Sequence, residues 1–169
     1  WVQVRTQNFK DWFGDWENDP ANASKVVDEN GEPMVVYHGT YSEDMFSEFD
    51  PIGKENAWMA DYPEGFSFLT NKESHAVAYG SRIYPVFLNV RTPTVKAVEG
   101  SAEKYLDNSG DVWGEYFDKG ADGIVVIGTS QVNGEYSIYA VENPSQIKSA
   151  TANVGTFSES NPDIRYKPA

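Results

Sequence analysis

The chain has 169 residues, 40% of them hydrophobic and 14% aromatic, which predicts one globular domain with an aromatic-rich core. It contains no cysteine, which excludes a disulfide scaffold, thiol catalysis and cysteine-ligated metals. A formal net charge of −13 disfavours a nucleic-acid backbone or an anionic membrane as partner, and leaves a basic protein, a small ligand or solubility alone as explanations.

Residues 1–24 are predicted to form a helical attachment followed by a polar linker. The large aromatic residues of this stretch recur at helical spacing: Phe9, Trp12, Phe13 and Trp16. Such a stripe favours docking of the helix on a core. The chain does not begin with methionine, which indicates a fragment or a processed product, and no apolar run nears the roughly 18 residues that span a bilayer. Because residues 1–24 form this attachment and linker, we expect the main domain to occupy residues 25–169.

The first segment of the main domain, residues 25–37, predicts a β-hairpin. Two β-branched runs flank Asn30-Gly31, a favoured turn pair. The second strand ends at His38 and Gly39. Because glycine lacks a Cβ, the backbone there can turn sharply or approach a ligand closely. This strand end is therefore a candidate docking place for a small molecule.

The middle of the chain alternates loops, short strands and helices. Residues 41–64 are long, polar and rich in breakers, which is typical of a binding loop or a disordered segment. A short strand over 65–69 is followed by a helix that ends at Gly80, with Thr70 and Glu73 spaced as a capping box.

The remaining elements predict an α+β domain with mainly antiparallel sheets. They are a buried strand over 82–90, one or two surface helices over 99–120, strands over 123–128 and 134–141, and an extended polar tail over 150–169.

Three of these segments resemble motifs of the His-Tyr-Glu class of ADP-ribosyltransferases, which includes diphtheria toxin and the poly-ADP-ribose polymerases. Residues 37–40 (YHGT) resemble the first motif of the toxin, and residues 65–79 resemble its strand-then-helix motif with about one residue inserted. Residues 134–139 resemble the catalytic strand of the polymerases. The segment 143–166 is similar to transferase-like domains of phage and bacterial polyvalent proteins. The resemblance implies a split antiparallel β-sandwich core with flanking short helices.

The resemblance also implies a site for NAD, used as a co-substrate without a metal. Breaking the glycosidic bond of NAD develops positive charge on the ribose, as in glycoside hydrolysis. The implied catalytic residues are Glu135, which stabilises that charge, His38, which binds a ribose hydroxyl, and Tyr79, which stacks on nicotinamide. The implied NAD-binding residues are His38, Gly39, Thr40, Phe66, Ser67, Phe68 and Tyr79.

Several positions depart from the family pattern. Ala76 stands where the polymerases place a serine, and Ser67 replaces a tyrosine of the toxin, which makes Phe68 a candidate second wall for the ring. Asn133 precedes Glu135 by two positions, so the Glu-x-Glu pattern of arginine-modifying toxins is absent and the acceptor stays open.

Two further polar side chains carry weaker expectations. His75 is expected to lie exposed on its helix. Lys54, in the long polar stretch, is either a solvated lysine or a contact to the pyrophosphate.

The function expected from this pattern is mono-ADP-ribosylation of a macromolecule by a bacterial or phage effector or toxin acting in the cytoplasm of a host or target cell. A protein acceptor fits the acidic chain better than a nucleic acid, no membrane partner is expected, and the oligomeric state stays open. Two alternatives remain: an NAD glycohydrolase with water as acceptor, and a non-catalytic interaction module that retains the fold.

Overall fold

The computed structural model describes residues 3–41, 65–108, 110–153, 155 and 157–165. Of the predicted polar stretch 41–64, residue 41 lies within these ranges. The rest of the stretch, including Lys54, lies outside them. In the described ranges no helix combines the length and the apolar character needed to cross a membrane.

Seven strands form one sheet in the order β4-β5-β6-β2-β1-β3-β7. The strands are β1 (Val36–Thr40), β2 (Ser67–Thr70), β3 (Arg82–Leu88), β4 (Pro93–Ala97), β5 (Gly123–Ser130), β6 (Gly134–Val141) and β7 (Ile147–Ser149). The helices are α1 (Gln7–Phe13), α2 (Glu73–Ala76), α3 (Ala102–Asn108) and α4 (Gly110–Lys119). Short 3₁₀ turns occur at Gln3–Arg5, Pro20–Asn22, Val77–Tyr79 and Pro144–Gln146. The predicted α+β class with short flanking helices is confirmed.

The sheet is nearly divided between β1 and β2. These two strands share the single register pair Tyr37↔Thr70, whereas β1 and β3 share five pairs and β2 and β6 share four. The sheet therefore consists of one half made of β4, β5, β6 and β2, and another made of β1, β3 and β7. This division agrees with the predicted split core.

One strand pair departs from the antiparallel expectation. β4 and β5 are parallel, and α3 and α4 lie between them in the chain. Parallel neighbours need such a crossover, usually helical. The strand β4 has no counterpart among the predicted elements, because it begins at Pro93 and has only five residues.

Buried hydrophobic residues form three clusters around the sheet. The first core contains Val26, Val36, Leu69, Tyr84, Val86, Leu88, Val90, Tyr139, Val141, Ile147 and Ile164. The second core, beneath α3 and α4, contains Phe66, Ala102, Leu106, Val112, Trp113, Tyr116, Ile124, Val126, Tyr136, Ile138 and Ala140. Along β6, residues of the first core alternate with residues of the second core, because successive side chains of a strand face opposite sides of the sheet.

The third core docks the N-terminal segment, as its aromatic stripe predicts. Phe9, Trp12 and Phe13 are fully buried, and the ring centroid of Phe9 lies 5.3 Å from that of Phe87 on β3. Trp12 donates its indole N–H to the carbonyl of Ser145 at 2.9 Å. The division of the chain at residue 25 stays a prediction.

One local prediction was only partly right, and another was wrong. The predicted hairpin is reduced to an isolated bridge, Val27↔Pro33, and regular pairing begins only at β1. The predicted capping box is wrong: Lys72 is the N-cap residue of α2 and makes no side-chain cap hydrogen bond. Thr70 instead ends β2, and its hydroxyl accepts from the backbone N–H of Lys72.

Replacing Phe9 by alanine should lower the free energy of unfolding of the whole domain by about 3–5 kcal/mol, because the ring is fully buried in the third core. Urea unfolding followed by tryptophan fluorescence measures this. Val132→Ala is the control, since Val132 is 88% exposed and should stay within about 0.5 kcal/mol of the wild type. An unchanged main transition in Phe9→Ala would show that residues 1–24 fold independently of the sheet.

Candidate active site

The end of β1 lies directly against the segment that follows β2. A Cβ placed on Gly39 would lie 2.0 Å from the carbonyl oxygen of Ala76 and 3.4 Å from the Cβ of Tyr79. Only glycine leaves room for that approach. The close packing fixes the 3₁₀ turn that carries Tyr79 beside the predicted His38-Gly39 step.

His38 spans the gap between the two halves of the sheet. Its Nδ1 lies 2.8 Å from the backbone carbonyl of Phe68 on β2. Because a carbonyl only accepts, Nδ1 donates, which leaves Nε2 as the acceptor nitrogen of the neutral ring. Burial lowers the pKa of His38 below its ordinary value, and the bond to Phe68 offsets only part of that effect.

Glu135 is the second residue of β6, next to the turn that precedes this strand, and is in register with Thr129 on β5. Its side chain is exposed, because β2 pairs with β6 only from Ile138 onward. By strand alternation Glu135 shares a face with Tyr139, a member of the first core.

The same alternation places His38 on that face of the sheet. His38 lies two residues after Val36 on β1 and is in register with Tyr84 on β3, and both of these residues belong to the first core. The imidazole and the carboxylate of Glu135 therefore project from one side of the sheet, on either side of the division between its halves.

Tyr79 is 39% exposed, and its hydroxyl donates to Glu103 at 2.7 Å. Its position follows from the turn that carries it, which packs on Gly39. The structure thus brings the element that carries Tyr79 to the end of β1, while the hydroxyl is bound on the side of α3.

Asn133 holds the loop before β6 against α2. Its side-chain oxygen accepts from Ser74 at 2.5 Å, and its amide nitrogen lies 3.3 Å from Nδ1 of His75. Since Glu135 follows two residues later, these contacts bring the start of β6 next to the helix that leads to Tyr79.

The expectation that His75 is exposed was wrong. Its side chain is only 14% exposed, and its ring stacks on Tyr136 with centroids 4.1 Å apart. Nε2 of His75 lies 2.5 Å from a carboxylate oxygen of Glu103. The ring is therefore part of a polar cluster beneath α3.

The other predicted NAD-binding residues occupy different environments. Thr40 is half-buried at the end of β1, in register with Arg82. Ser67 is buried at the start of β2. Phe68 is half-buried against the second core and offers its backbone carbonyl to His38. Phe66 is fully buried, with its ring centroid 5.0 Å from that of Trp113, so its burial does not support a direct contact with a ligand.

Sequence reasoning missed Glu103 and gave Asn133 no structural role. Glu103 lies in the acidic and aromatic segment 99–120, where its spacing resembles that of a solvated helix face. The one local signal is Ser101, whose hydroxyl accepts from the backbone N–H of Lys104 and starts α3. Within the part of the chain that the structure describes, no group of three or more metal-ligating side chains could hold a metal ion.

Comparison with known proteins identifies one family. The family model described as ADP-ribosyltransferase in polyvalent proteins matches residues 28–157, which include β1, α2 and β6. No curated protein and no solved structure matches the chain.

Replacing Gly39 by alanine should destabilise the fold by about 3 kcal/mol, the upper range for an overpacked site, because the added methyl meets the backbone of Ala76. Gly114→Ala in α4 is the matched control, since its Cβ would meet nothing within 4 Å. We expect that control to be neutral or up to about 1 kcal/mol more stable. Urea unfolding compares the two variants, and equal stabilities would contradict the close packing.

The imidazole of His38 should titrate with a midpoint below 6.5 in an NMR pH titration. Because the native pKa is lowered, the unfolded chain binds more protons in the interval below 6.5, and stability rises with pH there. The contribution is complete above 6.5 and is lost as the pH falls through the native pKa. His38→Gln should show a flatter dependence of unfolding free energy on pH, whereas a midpoint above 6.5 would show that burial does not dominate the pKa of His38.

Proposed function

The chain belongs to the family of ADP-ribosyltransferases in polyvalent proteins, and from this premise we propose that it is a mono-ADP-ribosyltransferase of the His-Tyr-Glu class that uses NAD and modifies a protein. In the proposed reaction the bond between the ribose C1′ and the nicotinamide nitrogen breaks, and nicotinamide leaves with the electron pair. A nucleophile of the acceptor then bonds to C1′ and loses its proton.

The observation that carries this proposal is the placement of His38 and Glu135 on one face of the divided sheet. The sheet has a single ladder pair between β1 and β2, so a ligand placed there would meet groups from both halves. The turn that carries Tyr79 is packed on Gly39 at the same strand end. Because Gly39 alternates with His38 along β1, this turn packs on the opposite face of the sheet, so the proposal requires NAD to bind at the strand end itself and to contact Tyr79 from one side and His38 and Glu135 from the other.

Each proposed residue has a role that its surroundings support. Nε2 of His38 accepts from a ribose hydroxyl, because Nδ1 is committed to Phe68. The backbone of Gly39 offers a donor and an acceptor to the carboxamide, and the half-exposed ring of Tyr79 stacks on the nicotinamide. Thr40, Ser67 and Phe68 complete the proposed NAD-binding set.

Glu135 is the proposed catalytic carboxylate. Its exposure at the start of β6 leaves it accessible to the ribose and to an incoming nucleophile. A carboxylate beside the ribose stabilises the positive charge that develops as the glycosidic bond breaks, and it polarises the nucleophile.

The acceptor is proposed to be a protein rather than a nucleic acid. Acidic residues outnumber basic ones by 26 to 13, so the average field repels a phosphate backbone and attracts a basic protein surface. A role as a bacterial or phage effector or toxin, acting in the cytoplasm of a target cell, belongs to the same proposal.

Replacing Glu135 by glutamine should lower the rate of nicotinamide release by on the order of 100-fold or more, as expected when a preorganised charge at the reacting centre is removed. The assay incubates the chain with NAD labelled in the adenosine part, with and without a bacterial lysate. Label on discrete protein bands supports the transferase, label on nucleic acid overturns the protein acceptor, and free ADP-ribose alone indicates a glycohydrolase.

Glu142→Gln is the matched control for this experiment. Glu142 is also exposed and follows directly on the other end of β6, away from the proposed site. It should keep the wild-type rate. Equal rates for Glu135→Gln and the wild type would overturn the proposed mechanism, and a wild type without any activity on NAD would favour a non-catalytic module.

A further inference from the structure

A single carboxylate, that of Glu103, collects hydrogen bonds from three separate elements. Tyr79 donates to Oε1 at 2.7 Å, and Nε2 of His75 lies 2.5 Å from the same oxygen. Tyr136 donates to Oε2 through its hydroxyl, and Ser101 donates to Oε2 at 3.1 Å. We call these five residues the Glu103 cluster.

The cluster is internally consistent as a set of donors and acceptors. The amide of Asn133 donates to Nδ1 of His75, which leaves Nε2–H to donate to Glu103. The hydroxyl of Tyr136 also accepts from the backbone N–H of Ala102 at 3.0 Å. Each carboxylate oxygen thus accepts two hydrogen bonds from the protein itself.

Such saturation argues against direct catalysis by Glu103. A carboxylate has about four acceptor positions, and four donors of the chain fill them. Burial alone would raise the pKa of Glu103, but the bonds from Tyr136, His75 and Tyr79 outweigh burial and lower the pKa to about 2. The group is therefore a fixed anion that organises its donors.

The donors connect the two elements that carry proposed catalytic residues. Tyr79 lies on the turn after α2, and Tyr136 directly follows Glu135 on β6. Glu103 lies in the first turn of α3 and bonds to both tyrosine hydroxyls. The cluster therefore links the ring that is proposed to meet nicotinamide with the strand that carries the proposed catalytic carboxylate.

We propose that Glu103 is a positioning residue for NAD, which acts by holding the Tyr79 hydroxyl and so fixes the Tyr79 ring in its stacking orientation. This inference rests on the proposed function. Tyr79 is 39% exposed, and its ring also lies 5.9 Å from that of His75, so the bond to Glu103 is the contact that fixes the hydroxyl end of the ring, and losing it gives the ring more rotamer freedom to lose on binding. Ordering the ring would then reduce affinity, since each immobilised side chain weakens binding by about 3- to 10-fold.

The test is a double-mutant cycle on the kinetics of NAD cleavage. Tyr79→Phe keeps the ring and removes the donor, whereas Glu103→Ala removes the acceptor. Each variant should raise KM for NAD by about 3- to 10-fold and change kcat by less than about twofold, because the ring has to be ordered in the NAD complex as well as in the transition state. The double variant should be no worse than Glu103→Ala, since both changes remove the same interaction.

The outcomes separate this inference from the proposed function. The positioning role would be overturned if the rise in KM of the double variant equalled the product of the two single rises, or if KM were unchanged in Tyr79→Phe. In either case NAD cleavage by the wild type leaves the proposed function intact. Absence of NAD cleavage by the folded wild type would overturn both. If Glu103→Ala does not fold, Tyr79→Phe decides alone: a raised KM with a retained kcat supports the role.

Glu115→Ala is the matched control variant. Glu115 is also a helical glutamate whose pKa is lowered to about 2, through hydrogen bonds from Lys119 and Lys96, but it lies on α4 outside the Glu103 cluster. It should keep the wild-type KM. A KM shift equal to that of Glu103→Ala would show a general effect of lost charge and would overturn the specific role.

Discussion

The close contact of β1 with the segment from Ala76 to Gly80 is the constraint on which the proposed site depends. Gly39 meets the backbone of Ala76, and a Cβ on Gly80 would lie 2.0 Å from the backbone carbonyl carbon of Thr40. Two glycines therefore line the contact from both sides. Since protein interiors are close-packed, this contact allows little freedom in the placement of the turn between them. The ring of Tyr79 takes its position relative to His38 from that contact.

The division of the sheet gives this contact its functional meaning. A fully paired β1 and β2 would commit their facing backbone groups to each other, but the ladder joins them only at Tyr37↔Thr70. His38 adds a side-chain bond across the gap to Phe68. The histidine thus has a structural role, which holds the halves in register, and a proposed role toward ribose, and the two roles use different ring nitrogens.

Those features that depend on local sequence were predictable, and those that depend on tertiary contacts were not. The strand that carries His38, the stop at Gly80 and the strand that carries Glu135 follow from periodicity and glycine placement, although β1 continues past His38 to Thr40. The capping box failed because Thr70 is drawn into β2, where ladder pairing overrides a helix signal. The roles of Glu103 and His75 had no local signature, because Tyr79, His75 and Tyr136 lie 24 or more residues from Glu103 in the chain. The residues of the candidate site stay a prediction from family resemblance, and the contacts that support them in the structure had no signal in the sequence.

The acidic character of the chain limits how it can recognise a dinucleotide. With a net charge of −13, the average field opposes an anionic pyrophosphate, so affinity has to come from short-range contacts. Stacking and hydrogen bonding to the nicotinamide and its ribose are contacts of that kind, and they act at the end of the molecule where the bond breaks. Their value depends on how well the partner groups are ordered before binding. A half-buried anion such as Glu103, whose carboxylate is saturated by donors of its own chain, can supply that order while its charge is held by hydrogen bonds within the protein.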